Sequence, residues 1–297
     1  MSKRTVAIIC GFLVALFYAY NFTAAKEVTP EHVGPFGLAW YRVVATCVIF
    51  WGISLFTKSK EKIPYQELPL IALAAFCGVG FNMVTFMWGL SLTSPISASV
   101  LMVSTPIIVL VLSALFLKER LHSLRIVGIL IGFSGAALLT LLSTGEGAEA
   151  KDPFLGNILV LVNAISYGIY ILLAKRLTAK YDVFMLMKWL YFFGVLIITP
   201  FGISQGLEFE ITTASTETLL NIGYVVIFAT FGTYMLNIIA IRTLKPSVVA
   251  VFIYLQPLLA TIIAVGLDKD VITWQKLVAG LLIFSGVFLT GLRGKSQ

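Results

Sequence analysis

The sequence predicts an all-α integral membrane protein with ten transmembrane helices, arranged as two inverted five-helix repeats. Three observations predict this fold class. The 297 residues are 59% hydrophobic and 12% charged, with a mean hydropathy of +0.98, whereas soluble domains are roughly 45 to 50% apolar. Ten apolar runs are each long enough for a spanning helix, which needs about 20 residues. A pattern of prolines, glycines and charged residues recurs at a fixed distance along the chain.

The ten apolar runs, spans 1 to 10, account for almost the whole chain. They lie near residues 5–24, 36–56, 68–90, 95–117, 122–142, 154–174, 184–203, 218–240, 247–267 and 274–292. The connections reach only about fifteen residues, so they leave no room for a soluble catalytic or ligand-binding domain. The sequence has no phosphate-binding loop, dinucleotide fingerprint, zinc-ligand cluster or nucleophile elbow. We therefore expect no metal, no cofactor and no catalytic residue.

The positive charges predict the orientation of the spans. With the N-terminus inside, 15 of the 21 Lys and Arg residues fall in inner segments, and only Lys26, Lys151, Lys269 and Lys276 in outer ones, with Arg42 and Lys188 inside spans. Cytoplasmic loops carry an excess of Lys and Arg. This distribution, rather than an affinity for nucleic acid, explains the net charge of +7. We expect a bacterial cytoplasmic (inner) membrane protein that contacts the bilayer and has both termini in the cytoplasm.

The recurring pattern divides the chain into two halves. Four marks reappear 151 residues later: Pro95, Pro106, Lys118-Glu119 and Ser134-Gly135 recur as Pro246, Pro257, Lys269-Asp270 and Ser285-Gly286. Each copy contains five spans, an odd number, so the second copy enters the membrane from the opposite side. Inverted repeats of this kind occur in many transporters. We predict a first repeat over residues 1–143, an outer (periplasmic) linker over 144–153 and a second repeat over 154–297.

These features together resemble the EamA-type transporters of the drug/metabolite transporter superfamily. The resemblance rests on the two five-helix halves, the mid-span prolines, the Lys-Glu turn before a glycine-containing helix, and Arg42 early in span 2. It covers essentially the whole chain. The second half departs from the pattern, with Lys188-Trp189 at the arginine position and Asp270-Val271 in place of Glu119-Arg120. The resemblance implies a secondary transporter that exports small metabolites by alternating access, and no enzyme.

Two prolines are predicted to shape a substrate cavity. Pro106 and Pro257 occupy equivalent mid-span positions, each after a polar residue, Thr105 or Gln256. A proline inside a helix leaves one carbonyl without its hydrogen bond, which lipid cannot satisfy. We expect both prolines to form helix kinks or hinges that line the cavity, although a static kink is the alternative.

Polar and aromatic residues inside the spans are the candidate substrate-binding groups. Amides and phenols exchange hydrogen bonds, and aromatic faces suit an ammonium or an apolar group. The same residues also join helices or lie in the interfacial belt, and Arg42 could instead reach the membrane surface. The candidates are Tyr18, Asn21, Arg42, Asn82, Trp88, Thr105, Tyr167, Tyr170, Tyr234, Asn237, Tyr254 and Gln256.

The distribution of acids limits the coupling mechanism. All fourteen Asp and Glu residues fall outside the ten spans or at their ends, whereas proton relays use intramembrane carboxylates. We therefore expect a neutral, zwitterionic or anionic small-molecule solute, such as an amino acid, moved by facilitated diffusion or exchange. The alternatives are a sugar-phosphate or nucleotide-sugar exchanger and an integral membrane lipid enzyme. The Gly128-xxx-Gly132 pair favours a seam within a monomer over one in a weak homodimer.

Overall fold

The computed structural model describes residues 1–28, 33–56, 63–93, 98, 101–118, 122–142, 151–210, 212, 214–266 and 273–291. This part of the chain forms ten helices that correspond to the ten predicted spans. They are α1 (Lys3–Val28), α2 (Pro35–Phe56), α3 (Tyr65–Leu92), α4 (Leu101–Phe116), α5 (Ser123–Leu142), α6 (Pro153–Thr178), α7 (Val183–Leu207), α8 (Thr216–Thr243), α9 (246–266) and α10 (Trp274–Gly291).

By length and composition, seven of these helices can cross a membrane, and α4, α5 and α10 give shorter apolar stretches. The predicted all-α membrane fold of ten helices is confirmed. The linker segment 144–150 and the repeat marks Pro95, Glu119 and Lys269-Asp270 lie outside the described residues.

Side-chain caps fix where several helices of the second half begin. Asp152 accepts a hydrogen bond from the backbone N–H of Leu155 at 3.1 Å, with Pro153 in the first turn of α6. Ser215 caps α8 in the same way, accepting from Thr218 N–H at 3.1 Å. Such caps satisfy backbone donors that have no partner within the helix. The polar residues between spans therefore set the helix boundaries.

The most extensive helix contacts join one half of the chain to the other. Helices at equivalent positions pair directly, α2 with α7 and α5 with α10. The remaining large contacts occur as equivalent couples, since α1 packs on α8 and α9 while α6 packs on α3 and α4. A two-fold relation between the halves produces this pattern, because exchanging the halves maps each contact onto another.

Glycines allow the close contact between α5 and α10. A Cβ atom on Gly128 would lie 2.6 Å from Thr290 Oγ1 and 2.8 Å from the carbonyl oxygen of Gly286. A Cβ on Gly135 would come within 2.8 Å of the carbonyl oxygen of Ala279. The small-residue seam thus lies within one chain.

Four of the helices that surround the centre are not regular α-helices. α3 contains a π-helical segment at Phe76–Gly80, and α8 contains another at Ile227–Gly232. Residue 227 follows residue 76 by the same 151 positions that relate the repeat marks. A π-helical turn holds an extra residue and is often found at functional sites. The duplication therefore extends to an interruption that composition does not reveal.

The prolines follow further interruptions. α4 is broken by a turn at Ser104, and its main segment, Thr105–Phe116, has Pro106 in the first turn. α9 passes through a 3₁₀ segment, Phe252–Tyr254, before Leu255–Gly266, where Pro257 is the third residue. A proline in a first helical turn lacks an N–H that would have no partner there anyway. The helices are thus interrupted just before the prolines, whereas the sequence predicted kinks or hinges at prolines inside the helices.

Candidate functional site

A cavity of about 20 Å³ lies between α1, α6, α8 and α9. Its lining contains four of the predicted binding residues, Tyr18, Tyr167, Asn237 and Gln256, together with Gly11, Val14, Ala15, Val249, Phe252 and Ile253. Tyr18 and Gln256 lie near the middle of their helices, whereas Asn237 and Val249 lie nearer the side of the membrane that holds the termini. The volume is enough for about one water molecule. The cavity is therefore too small for a metabolite in this conformation.

The polar groups of the cavity are only partly paired. Asn237 Nδ2 donates a hydrogen bond to the Tyr167 hydroxyl at 2.9 Å. Gln256 is half-buried and forms no hydrogen bond with a described residue. An amide without a partner can both donate to and accept from a ligand. The Asn237 amide is therefore already hydrogen-bonded, whereas the Gln256 amide is available to a ligand.

Apolar atoms form the rest of the cavity wall. A Cβ on Gly11 would lie 2.7 Å from the ring of Phe252, so the glycine lets this ring lie directly against α1. Val14 and Ile253 add aliphatic surface. The cavity consequently suits a molecule with both polar and apolar parts.

A cluster of buried tyrosines adjoins the cavity. Ring centroids are 5.8 Å apart for Tyr167 and Tyr170, 6.3 Å for Tyr170 and Tyr234, and 5.4 Å for Tyr234 and Tyr191. The Tyr234 hydroxyl donates to the carbonyl oxygen of Gly78 at 2.7 Å, in the π-helical segment of α3. The hydroxyls of Tyr170 and Tyr191 are buried with no partner in the described part of the chain. Unpaired buried hydroxyls are uncommon because they cost free energy.

Arg42 points into the protein. Its side chain is buried, Nε donates to Thr230 Oγ1 at 2.8 Å, and Nη2 lies 3.5 Å from the carbonyl oxygen of Ala229. Both partners belong to the π-helical segment of α8. The sequence left two positions open for this guanidinium, the membrane surface and the protein interior. In the structure it lies in the protein interior. Lys188, by contrast, places Nζ 3.9 Å from the centroid of the Trp51 ring.

Two further predicted residues bond to neighbouring backbone instead of lining the cavity. Asn82 Nδ2 donates to the carbonyl oxygen of Asn163 at 3.1 Å, and Asn163 Nδ2 returns a bond to the carbonyl oxygen of Asn82 at 2.6 Å. Thr105 is buried and donates to the carbonyl oxygen of Met102 at 2.6 Å. The two amide bonds hold α3 to α6, and the Thr105 bond spans the break at Ser104 in α4.

The remaining predicted residues are also away from the cavity. Trp88 is 49% exposed on α3. Asn21 is buried on α1, and its Oδ1 has no partner among the described residues. Tyr254 is buried against Gly132, where a Cβ would lie 2.5 Å from its ring. Substrate contact by these residues remains a prediction.

Three residues at the centre were not predicted from the sequence. Thr230 binds Arg42, Tyr191 joins the tyrosine cluster, and Asn163 pairs with Asn82. Asn163 could have been chosen from the sequence, because it is an amide in the middle of span 6. Tyr191 and Thr230 were harder to choose, because phenols and hydroxyls are common in membrane helices and form hydrogen bonds with nearby groups. Within the described residues, no group of three His, Cys, Asp or Glu side chains could hold a metal ion.

Comparison with known proteins shows what the chain is similar to. Residues 5–141 and 154–292 each match the model of the EamA-like transporter family. An uncharacterized transporter of Archaeoglobus fulgidus is 24% identical over 98% of both chains. The uncharacterized inner membrane transporter YedA of Escherichia coli K12 is 26% identical, over 98% of this chain and 93% of its own.

A relative from Streptantibioticus cattleyicolor, named a probable terminal-alkyne amino-acid exporter, is 27% identical over 99% of this chain and 95% of its own. A solved crystal structure at 16% identity superposes with a TM-score of 0.80, over 97% of this chain and 98% of that one. At that identity the likeness shows the fold alone.

Proposed function

The chain belongs to the EamA-like transporter family, and from this premise we propose that it exports small amphipathic metabolites, such as amino acids, from the cytoplasm. The observation that carries the proposal is the cavity where Tyr18, Tyr167, Asn237 and Gln256 meet beside apolar side chains. Amides and phenols can bond the charged groups of a zwitterion, while Phe252 and Ile253 can contact an apolar side chain. No carboxylate lies in the cavity lining, so the proposal assigns facilitated diffusion or exchange rather than proton antiport.

Transport through this site requires the two halves to move relative to each other. The cavity of about 20 Å³ holds about one water molecule, which is much less than an amino acid. The 3₁₀ interruption of α9 contributes Phe252 and Ile253 to the cavity lining. The π-helical segments of α3 and α8 bind Tyr234 and Arg42 nearby. In transporters built from inverted repeats, interrupted helices at the midplane form the site, and movement of the repeats exposes it to each side in turn. We assign the same alternating access to this chain, with Pro106 and Pro257 beside the moving segments.

The chain is a multi-pass membrane protein, and we propose the bacterial cytoplasmic membrane with both termini inside. The excess of Lys and Arg on the side of the termini supports this orientation. The Escherichia coli relative carries the name of an inner membrane transporter. The cavity then lies toward the cytoplasmic side, from which an exporter takes its solute.

The two alternatives are less well supported. A sugar-phosphate or nucleotide-sugar exchanger needs several cations at its site, but Arg42 and Lys188 are the two cations farthest from the ends of the predicted spans. Lys188 is held over Trp51, away from the cavity. The lipid-enzyme alternative is dropped, because the relatives are transporters and the family is not enzymatic. The name of the Streptantibioticus cattleyicolor relative favours amino acids as the first solutes to test.

Uptake into proteoliposomes tests the proposal. Purified protein is reconstituted, and uptake of labelled amino acids, aromatic metabolites and sugar phosphates is measured with and without an imposed pH gradient. We expect saturable flux of at least one amino acid, independent of the gradient. Flux of sugar phosphates alone would contradict the substrate class, and gradient-driven accumulation would contradict the coupling.

The substitution Gln256→Ala tests the position of the site. Removing the available amide should raise KM for the transported amino acid by about two- to tenfold, since a neutral hydrogen bond contributes about 0.5–1.5 kcal/mol. Gln66→Ala is the matched control, because Gln66 is exposed outside the cavity. Equal KM values for both variants would show that the cavity is not the binding site.

A further inference from the structure

Arg42 carries a positive charge at the centre of the protein without a negative partner. Its side chain is 6% exposed, and it forms no ion pair with a described residue. In the described helices, acidic residues occur only near the ends, at Glu27, Glu67 and Glu217. An unpaired charge in a membrane interior costs several kcal/mol and usually marks a functional site.

The groups that bind the guanidinium are neutral and only partly available. Thr230 Oγ1 itself donates to the carbonyl oxygen of Val225 at 2.7 Å, and the carbonyl oxygen of Ala229 also accepts from Thr233 Oγ1 at 2.8 Å. A guanidinium has five N–H donors, and only two of its nitrogens contact these oxygens. Arg42 therefore keeps both its charge and several donors unmatched.

A row of phenols leads from the surroundings of Arg42 to the cavity. Thr230, which binds Arg42, is followed four residues later on α8 by Tyr234, whose ring centroid lies 5.4 Å from that of Tyr191. The Tyr170 ring centroid lies 6.3 Å from that of Tyr234 and 5.8 Å from that of Tyr167, which lines the cavity. The Tyr191 hydroxyl is buried and has no hydrogen-bond partner among the described residues. The Tyr191 hydroxyl, a donor without an acceptor, thus belongs to the row of phenols that connects the surroundings of Arg42 with the wall of the cavity.

We propose that Arg42, together with the Tyr191 hydroxyl, binds the carboxylate of the transported solute when the cavity widens. This inference rests on the proposed export function and specifies the chemistry of its substrate. A guanidinium matches the two oxygens of a carboxylate with parallel N–H donors. The solute's ammonium group would then face the rings of Tyr18 and Tyr167, where cation–π contact is favourable.

The number of cations favours a carboxylate over a phosphate. One guanidinium balances the single charge of a carboxylate, whereas a phosphate ester carries up to two charges. Lys188, the cation next farthest from the ends of the predicted spans, already contacts Trp51. The Arg42 site is therefore matched to a monoanionic group.

The test compares solutes that differ only in the carboxylate. Uptake of L-phenylalanine and L-leucine is measured against uptake of their amides in proteoliposomes with wild-type protein, Arg42→Gln and Arg42→Lys. Arg42→Gln should raise KM for the amino acids by about ten- to a hundredfold, the range for a hydrogen bond to a charged group, with a smaller change in kcat. Uptake of the amides should be unchanged or faster. Arg42→Lys, which keeps the positive charge but loses the two parallel N–H donors, should give an intermediate KM.

Two further variants separate binding from folding. Lys188→Gln removes a cation that is held over Trp51 and should leave the preference for carboxylates unchanged. Tyr191→Phe removes a hydroxyl that has no partner, so it should fold normally and raise KM for the amino acids but not for the amides. It tests the proposal even if Arg42→Gln does not fold. Stabilisation of the purified protein against heating by each solute gives a second readout that does not depend on transport.

The outcomes distinguish the two proposals. If amino acids are transported but Arg42→Gln and Tyr191→Phe affect acid and amide equally, the carboxylate assignment is wrong and the export proposal stands. If wild-type protein neither transports nor is stabilised by any amino acid, the export proposal fails and the carboxylate assignment fails with it.

Discussion

At the scale of single residues, Lys175 connects α6 to the end of α8. Its Nζ donates hydrogen bonds to the carbonyl oxygens of Ile241 at 2.9 Å, Arg242 at 3.0 Å and Leu244 at 2.8 Å. The last carbonyls of a helix have no partner within it, and a cation there also meets the negative end of the helix dipole. One ammonium group therefore satisfies three acceptors and ties two helices of the cavity together on the side of the termini.

Lys175→Met should destabilise the protein by about 1–3 kcal/mol, because it leaves these acceptors without a charged donor. The measurement is thermal unfolding of the purified protein in detergent, where the variant should have a lower Tm than wild type. Arg176→Met is the matched control, since the neighbouring Arg176 is exposed, and its Tm should stay close to that of wild type. Equal Tm values for the two variants would contradict the role assigned to Lys175.

The residue types at the site could be predicted from the sequence, but their partners could not. Polar groups inside a span are costly and often functional, which is why the candidates included Tyr18, Tyr167, Asn237 and Gln256. Asn82 belonged to the same list, yet it pairs with Asn163. A polar side chain in a helix bonds whichever group faces it, and the facing helix is set by tertiary packing.

At the scale of elements, the interruptions and the glycine contacts have different roles. The π-helical segments of α3 and α8 lie beside the tyrosine cluster and Arg42, where regular hydrogen bonding is locally relaxed. The seam between α5 and α10 is instead tightly packed through glycine. We therefore assign movement to the interrupted helices and treat the seam as a fixed contact.

Gly128→Ala should destabilise the seam by about 1–3 kcal/mol, the usual cost of overpacking. The added methyl group would meet the backbone of Gly286, which cannot move aside as a side chain could. Gly223→Ala is the control, because a Cβ there meets nothing within 4 Å. We expect the control to be neutral or slightly stabilising, by less than about 1 kcal/mol. The measurement is unfolding in denaturing detergent, combined with native mass spectrometry.

The mass-spectrometry result distinguishes a seam within one chain from a seam between two chains. Gly128→Ala should change stability without changing the number of chains in the particle. A change in that number with unaltered unfolding would place the seam between chains instead.

The ten helices could be predicted from hydropathy, but the interruptions within them could not. The ten apolar runs gave the ten helices because each run is long enough to cross the membrane. The residue composition of the π-helical segments does not distinguish them from regular helix. Once one of them is known, the 151-residue offset predicts the other. Hydrogen bonding over five residues depends on local packing, to which single residues contribute little.

At the scale of the whole molecule, the arrangement follows from an odd number of spans in each half. Five crossings reverse the direction of the second copy, and contacts between the halves then occur as equivalent couples. The repeat marks and the count of spans were sufficient to predict this relation. The small volume of the cavity was not predictable, because one sequence can populate several conformations whose cavities differ in size.

Reporter fusions test the orientation of the whole chain. Alkaline phosphatase, which is active only in the periplasm, should be inactive when fused after residue 297 and active when fused after residue 142. Green fluorescent protein, which folds in the cytoplasm, should give the reverse result. Phosphatase activity at the C-terminus would show that the orientation inferred from the Lys and Arg distribution is wrong.

The pairing of helices across the halves has a consequence for biosynthesis. A ribosome delivers α1 to α5 to the membrane before α6 to α10 exist, so each helix of the first half waits without its principal neighbour. During that interval lipid covers surfaces that will later be protein interior, and the buried Arg42 has not yet met the α8 oxygens that bind it. Assembly of the core is therefore completed only after the second half has been inserted, and a chain arrested at the midpoint leaves these surfaces facing lipid.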